Sequence, residues 1–278
     1  MNRRLFLLAG LACTFAAPPL AAQPARFQPT RFSVQVRGEG PDVILIPGLT
    51  SGRDVWASTV AAVPGYRYHL IQVAGFGGDP ARDNGRGPIV GPLADQIARY
   101  IESRGLTRPA LVGHSMGGTL AMLVALRRPE LAGRVMVVDM LPQPPGLYGG
   151  SASGWGGIAR SLGTMMDTNG GRQLFANLMN AFSPPGRVAG SDPNVVGRAM
   201  SELAATDLAP ELGRLRAPLT VVYASPVAQA NGLIDRQFGA AYANARGARL
   251  IRMDNSSHMV MRDQPERFAA VMRRFLAR

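Results

Sequence analysis

The chain has 278 residues, 46% of them hydrophobic, which is enough to bury a full core in one large domain or in one domain carrying an insertion. Its formal net charge is +12, and every one of the 30 basic residues is arginine, which reads as a compositional bias. The arginines are scattered singly or in pairs and aromatics make up only 6%, so no basic stacking platform exists and nucleic acid is excluded as a partner.

The first 22 residues read as an export signal. Arg3 and Arg4 precede the apolar run Leu5–Ala17, and Pro18-Pro19-Leu20-Ala21-Ala22 supplies a small-residue exit. Asn2-Arg3-Arg4-Leu5-Phe6-Leu7 points to the twin-arginine route, and hence to a periplasmic or extracellular protein. The apolar run is shorter than the roughly 18–20 residues a spanning helix needs, so no stable membrane insertion is expected once the signal is removed. Cys13, the only cysteine, lies within it, leaving residues 23–278 without a disulfide, thiolate nucleophile or cysteine metal site.

Strand-like and helix-like segments then alternate. Phe32–Val36 and Val43–Ile46 flank a Gly38-Glu39-Gly40-Pro41-Asp42 turn and predict a hairpin-like start. Tyr68–Val73 is a third apolar run. Leu93, Ile97, Tyr100 and Ile101 recur at helical spacing until Gly105. Ala110–Val112 leads into Gly113, Thr119–Leu126 continues as an apolar helix, and Val135–Val138 is the next strand. Leu219–Tyr223, a helical stretch, Arg249–Met253 and a last amphipathic helix marked by Phe268, Met272, Phe275 and Leu276 close the chain. This rhythm predicts an α/β fold with a mostly parallel, mixed sheet covered on both faces. From about Leu141 to Leu212 it breaks: prolines, glycines and methionines dominate, Ser183-Pro184-Pro185-Gly186 divides the stretch, and no strand is evident. An inserted helical cap is predicted there.

Gly113-His114-Ser115-Met116-Gly117 fits G-x-S-x-G between a strand and a helix. A serine on so tight a turn projects its Oγ above the sheet, and the small residues to either side avoid collision. The Met116 N–H, at a helix start, can face a developing oxyanion, and Leu49, in the Ile46-Pro47-Gly48-Leu49-Thr50 turn after the second strand, can supply a second donor. A serine hydroxyl needs a base. Of the three histidines, His69 falls within a strand and His114 is expected to leave the turn in another direction, which leaves His258 in the polar loop after the last strand.

These motifs, together with Gly75-Phe76-Gly77, Asp207-Leu208 before Pro218-Leu219-Thr220-Val221-Val222, and His258 followed by Asp263-Gln264-Pro265-Glu266-Arg267-Phe268, stand in the order in which the chain resembles the α/β-hydrolase family from about residue 30 to the end. The resemblance implies acyl transfer to Ser115 followed by hydrolysis. It also exposes a departure. The usual place for the triad's acid, after the strand Leu219–Tyr223, reads Ala224-Ser225-Pro226-Val227-Ala228, with no carboxylate until Asp235. Asp235 falls in a predicted helix whose apolar side includes Leu233, Phe238 and Tyr242, whereas Asp139 directly ends the strand Val135–Val138. Asp139 is therefore favoured, with Asp235 the alternative and Asp254 a turn residue.

Serine at the elbow argues against epoxide hydrolases and haloalkane dehalogenases, which need a carboxylate nucleophile. No metal-ligand cluster or nucleotide fingerprint appears, since Gly75-Phe76-Gly77-Gly78 lacks phosphate-loop spacing, so no cofactor and no metal are expected. The expected partner is a small-molecule ester, thioester or lactone, with Met140, Met165, Met166 and Met179 as candidate pocket lining. An acyltransferase, perhydrolase or amidase on the same triad, and a non-catalytic binding protein on the same scaffold, are the competing readings.

Overall fold

The computed structural model describes residues 27–143 and 190–277. The expected export signal, Cys13, Met165, Met166, Met179 and the Ser183–Gly186 break lie outside them. Seven strands, β1 (Phe32–Arg37), β2 (Asp42–Ile46), β3 (Arg67–Val73), β4 (Ala110–His114), β5 (Arg134–Val138), β6 (Leu219–Ser225) and β7 (Arg249–Asp254), form one sheet in the order β1-β3-β2-β4-β5-β6-β7. Every pair is parallel except β1 with β3.

The expected opening hairpin does not form. β1 pairs with β3, not with β2, which lies between β3 and β4. The reason lies in composition. Val43–Ile46 is apolar on both faces and fully buried, so it belongs in the middle of a covered sheet, while β1 becomes progressively exposed along its length and suits an edge.

Successive residues of the central strands feed two core layers. Ile44, Ile46, Leu111, Val135, Val137 and Val221 face one cluster, shared with α2 (Val90–Ser103), α3 (Met116–Arg127), α4 (Pro193–Ala205) and α5 (Asn231–Ala241). Val43, Leu45, Val112, Met136, Val138 and Val222 face the other, with α1 (Ala57–Ala62), α6 (Val260–Asp263) and α7 (Pro265–Leu276). The periodic residues Leu93, Ile97, Tyr100 and Ile101 are the buried stripe of α2. Helix α3 is buried at every position from Met116 to Leu126, which is why its sequence shows no polar face. The short 3-10 turn Arg53–Trp56 and α1 have no counterpart in the sequence expectations; Trp56 and Val55 anchor them in the second layer.

Of the predicted cap, the described part holds α4 and the 3-10 turn Ala209–Arg214. Helix α4 lays Val195, Val196 and Ala199 into the first core layer. Asp192 caps it, its Oδ1 accepting from Asn194 N at 2.8 Å and Val195 N at 3.1 Å, with Pro193 in the first turn. Glu202, near its far end, caps a different helix. Its carboxylate accepts from Ile89 N and Val90 N, each at 2.8 Å, at the start of α2, where no side chain of α2's own cap position does so. A carboxylate on those orphan amides is favourable both as an acceptor and as a negative charge at the positive helix end.

Replacing Glu202 by alanine is expected to lower global stability by about 1–2 kcal/mol, read from urea unfolding midpoints. An unchanged midpoint would show that water caps α2 equally well.

Candidate active site

The chain steps from β2 to β3 on one side and from β3 back across to β4 on the other, so β2 and β4 are neighbours whose following segments depart in opposite directions. Such a reversal opens a crevice at the carboxyl ends of the two strands. Pro47-Gly48-Leu49 leaves β2 there, and Ser115 leaves β4 there, with Ile46 and Gly113 in register.

Ser115 has φ 52° and ψ −123°, a conformation that costs an L-residue about 1–3 kcal/mol and persists only where its surroundings impose it. They do so tightly. A side chain at Gly113 would put Cβ 1.9 Å from Gly117 O, one at Gly117 would sit 2.3 Å from Ile46 O, and one at Gly118 would sit 2.8 Å from Val137 Cγ1. Ser115 N donates to Val138 O at 2.9 Å, and Ser115 O accepts from Gly118 N at 2.7 Å. A Cβ at Gly48 would fall 3.0 Å from Ser115 Cβ, so the turn after β2 lies against the serine. Among the described residues no backbone carbonyl accepts from Leu49 N or Met116 N.

Asp139 follows β5 directly, at φ 49°. Its amide donates to Val222 O at 2.7 Å, its Oδ1 accepts from Ala224 N at 2.8 Å, and its Oδ2 lies 2.7 Å from Nδ1 of His258. The carboxylate is largely buried and the imidazole 40% exposed. Tyr242, fully buried in line with Phe238 and Tyr223, donates its hydroxyl to Met140 O at 2.6 Å and so fixes the chain just beyond Asp139. Met140 itself is partly buried against the first core layer.

The alternative acid is elsewhere occupied. Asp235 accepts from Tyr223 Oη at 2.8 Å and pairs with Arg252. Its neighbour Leu233 is 64% exposed, so the apolar side expected for α5 does not include it. Asp254 closes β7 and binds Arg252 Nε at 2.6 Å. His69 is buried between Tyr100 Oη and Asp42 Oδ1, each at 2.8 Å. A concavity of about 470 Å³ beside it, lined by Phe32, Val34, Arg67 and Arg104 among others, holds none of Ser115, Asp139 or His258. Among the described residues no cluster of three metal-ligating side chains occurs, and no helix is long and apolar enough to cross a membrane.

His114 departs from expectation. Its ring does not turn away from the site; it is buried, its Nε2 lies 2.8 Å from His258 O, and the two histidine rings are 4.6 Å apart at 47°. Strand alternation carries the signal: His114 shares a face with Val112, the side on which the C-terminal helices pack. The Ala224 amide and the Tyr242 hydroxyl were also missed, the former because a backbone donor leaves no trace in residue type.

A family model described as the alpha/beta hydrolase family matches residues 43–271. The chain belongs to that family. Curated relatives of this α/β hydrolase include a pimeloyl-[acyl-carrier protein] methyl ester esterase of Aeromonas salmonicida, 27% identical over 269 residues that cover 88% of this chain and 98% of that protein. An enzyme of the same description from Nitrosospira multiformis is 27% identical over 87% of this chain and 97% of its own length. Among solved structures, an enol-lactonase from Burkholderia xenovorans LB400 superposes with a TM-score of 0.71 at 19% identity, covering 89% of this chain and 96% of that one. That likeness shows the fold.

Burial, and next the neighbouring His258, push the His114 ring down to about 3 from its ordinary 6.5; burial likewise lowers His69. Both therefore take up protons on unfolding as pH falls below about 6.5, and the native state is penalised in acid. Stability is expected to fall by on the order of 3–5 kcal/mol between pH 6.5 and pH 3, measured by urea unfolding, and to fall less steeply in His114→Gln. Equal slopes for the two proteins would show that His114 is not the source.

Proposed function

We propose that this α/β hydrolase cleaves a carboxylic ester, thioester or lactone through an acyl-enzyme on Ser115, with His258 as general base and Asp139 as its acid. The observation that carries this reading is the 2.7 Å contact between Asp139 Oδ2 and His258 Nδ1, made beside a serine held at positive φ at the head of α3. An ionised carboxylate can only accept, so Nδ1 carries the imidazole proton and Nε2 presents a lone pair. That lone pair takes the Ser115 proton as Oγ attacks the carbonyl carbon. The tetrahedral oxyanion is received by the N–H groups of Leu49 and Met116, and His258 returns the proton to the leaving alkoxide. Water, deprotonated by the same nitrogen, then attacks the acyl-enzyme and regenerates Ser115. The relatives named as methyl ester esterases favour carboxylic esters among the acyl compounds this machinery can open.

The mature chain should hydrolyse p-nitrophenyl esters and react with a fluorophosphonate probe, both abolished in Ser115→Ala. Asp139→Asn should lower kcat by about 10⁴-fold, since the asparagine amide favours the wrong histidine tautomer. Asp235→Asn, which removes a surface ion pair, should leave it within about twofold. A large loss in Asp235→Asn alone would refute the acid assignment. Serine-dependent labelling without ester turnover would move the reading to an acyltransferase, perhydrolase or amidase. Equal absence of labelling in both proteins would leave a binding role. Residues 1–22 are proposed as the export signal, and N-terminal sequencing of the periplasmic fraction should find a chain beginning near residue 23; full-length protein retained in the cytoplasm would refute it.

A further inference from the structure

We propose that His114, the residue before the nucleophile, is a positioning residue for His258: its Nε2–H holds the His258 backbone carbonyl and its ring forms the surface on which the His258 imidazole rests. The proposal rests on the reading of His258 as the base.

The imidazole of His258 is 40% exposed, so packing alone does not fix it. Its loop is tied on both sides of it. Ser257 N and Oγ donate to Asp263 Oδ2 at 2.7 and 2.5 Å, Ser256 N reaches Ser225 O at 3.3 Å, and Gln264 Nε2 donates to Asn255 O at 2.9 Å. Beyond His258, Met259 is buried and its carbonyl accepts from Arg262 N at 2.7 Å and Asp263 N at 3.1 Å as α6 begins. At His258 itself, Asp139 holds the side chain and His114 the main chain. The carboxylate contact sets the ring's orientation only if the backbone that carries the ring stays where it is. The 2.8 Å bond from His114 Nε2 to His258 O supplies that second constraint.

The chemistry at His114 fits this role and excludes two others. A carbonyl only accepts, so Nε2 is protonated and Nδ1 is not. Among the described residues Nδ1 is buried without a hydrogen-bond partner, and a Cβ on Gly48 would stand 2.8 Å from it. With Nε2 engaged and Nδ1 enclosed by Gly48, His114 cannot serve as the base. Nor is it mere filling: an apolar side chain would avoid the unpaired Nδ1 but would strip the His258 carbonyl of its donor. Burial keeps the ring neutral, so it adds no positive charge beneath an imidazolium that forms in turnover.

The test compares His114→Phe, which keeps a ring and loses the donor, with His114→Gln, whose amide nitrogen reaches the position of Nε2. Steady-state kinetics on a p-nitrophenyl ester are combined with NMR of the histidine side chains in the same proteins. His114→Phe should lose about 10- to 100-fold in kcat with KM nearly unchanged, as a displaced base would. The downfield Nδ1–H resonance of His258 should broaden or vanish with it. His114→Gln should recover most of the kcat and the resonance. Wild-type kcat in folded His114→Phe overturns the proposal, as does an equal loss in both variants with the resonance intact. If His114→Phe does not fold, the wild-type spectrum still decides: an Nε2–H tautomer at His114 supports the proposal and an Nδ1–H tautomer overturns it. Turnover that survives Ser115→Ala would instead refute the serine mechanism, leaving the NMR arm to judge His114 separately.

Discussion

The positive φ of Ser115 is the constraint on which the site depends. The conformation is held because three glycines let the elbow collapse onto itself and onto β2, where a Cβ would collide with backbone oxygen or with Val137. The same collapse directs the Ser115 amide to Val138 O and thereby locks the serine's turn to the end of β5, one residue from Asp139. Ser115 and Asp139, the proposed nucleophile and acid, are thus set by a single pair of adjacent, parallel strands in fixed register, His114 opposite Val138. Their spacing follows from the sheet and not from a loop conformation.

The proposed base is supported differently. His258 comes from a loop, and what the sheet does for Ser115 and Asp139 must be done for it by side-chain contacts. Asp139 grips its ring, Asp263 grips the residue before it, and His114 reaches up from the end of β4. Asp139 is itself braced on both sides, by the Ala224 amide on its second oxygen and by Tyr242 on the following carbonyl. Rigid elements therefore surround a histidine that arrives on a loop, which is the arrangement that preorganised sites require.

Much of this was legible in residue order. The buried stripe of α2, the wholly apolar α3 and the apolar central strands follow directly from periodicity, and Gly113-His114-Ser115-Met116-Gly117 declares a tight turn because no larger residue fits there. What was not legible depends on pairings between distant segments. Nothing local in Phe32–Arg37 says that it will pair with β3; that follows only once the fully apolar β2 has claimed a central place. The Ala224 amide that steadies Asp139 is a backbone group, invisible to any reading of side chains. The place of His114 beside the site is set by a partner 144 residues away, the His258 carbonyl, which nothing in the local sequence announces.

The proposed placing of the acid after β5 has a consequence for the connection after β6. The contacts with the site are made by the last two residues of β6 itself: Ala224 through its amide and Ser225 through the carbonyl that meets Ser256. From Pro226 to Gln229 the chain is exposed. In a hydrolase whose acid sits after β6, this stretch would be bound by catalysis and closed to variation. Here it is released. Lineages of this fold with the acid on β5 can lengthen, shorten or decorate the 226–229 segment while the reacting groups keep their spacing, which makes it a natural seat for evolutionary drift and a convenient one for grafting.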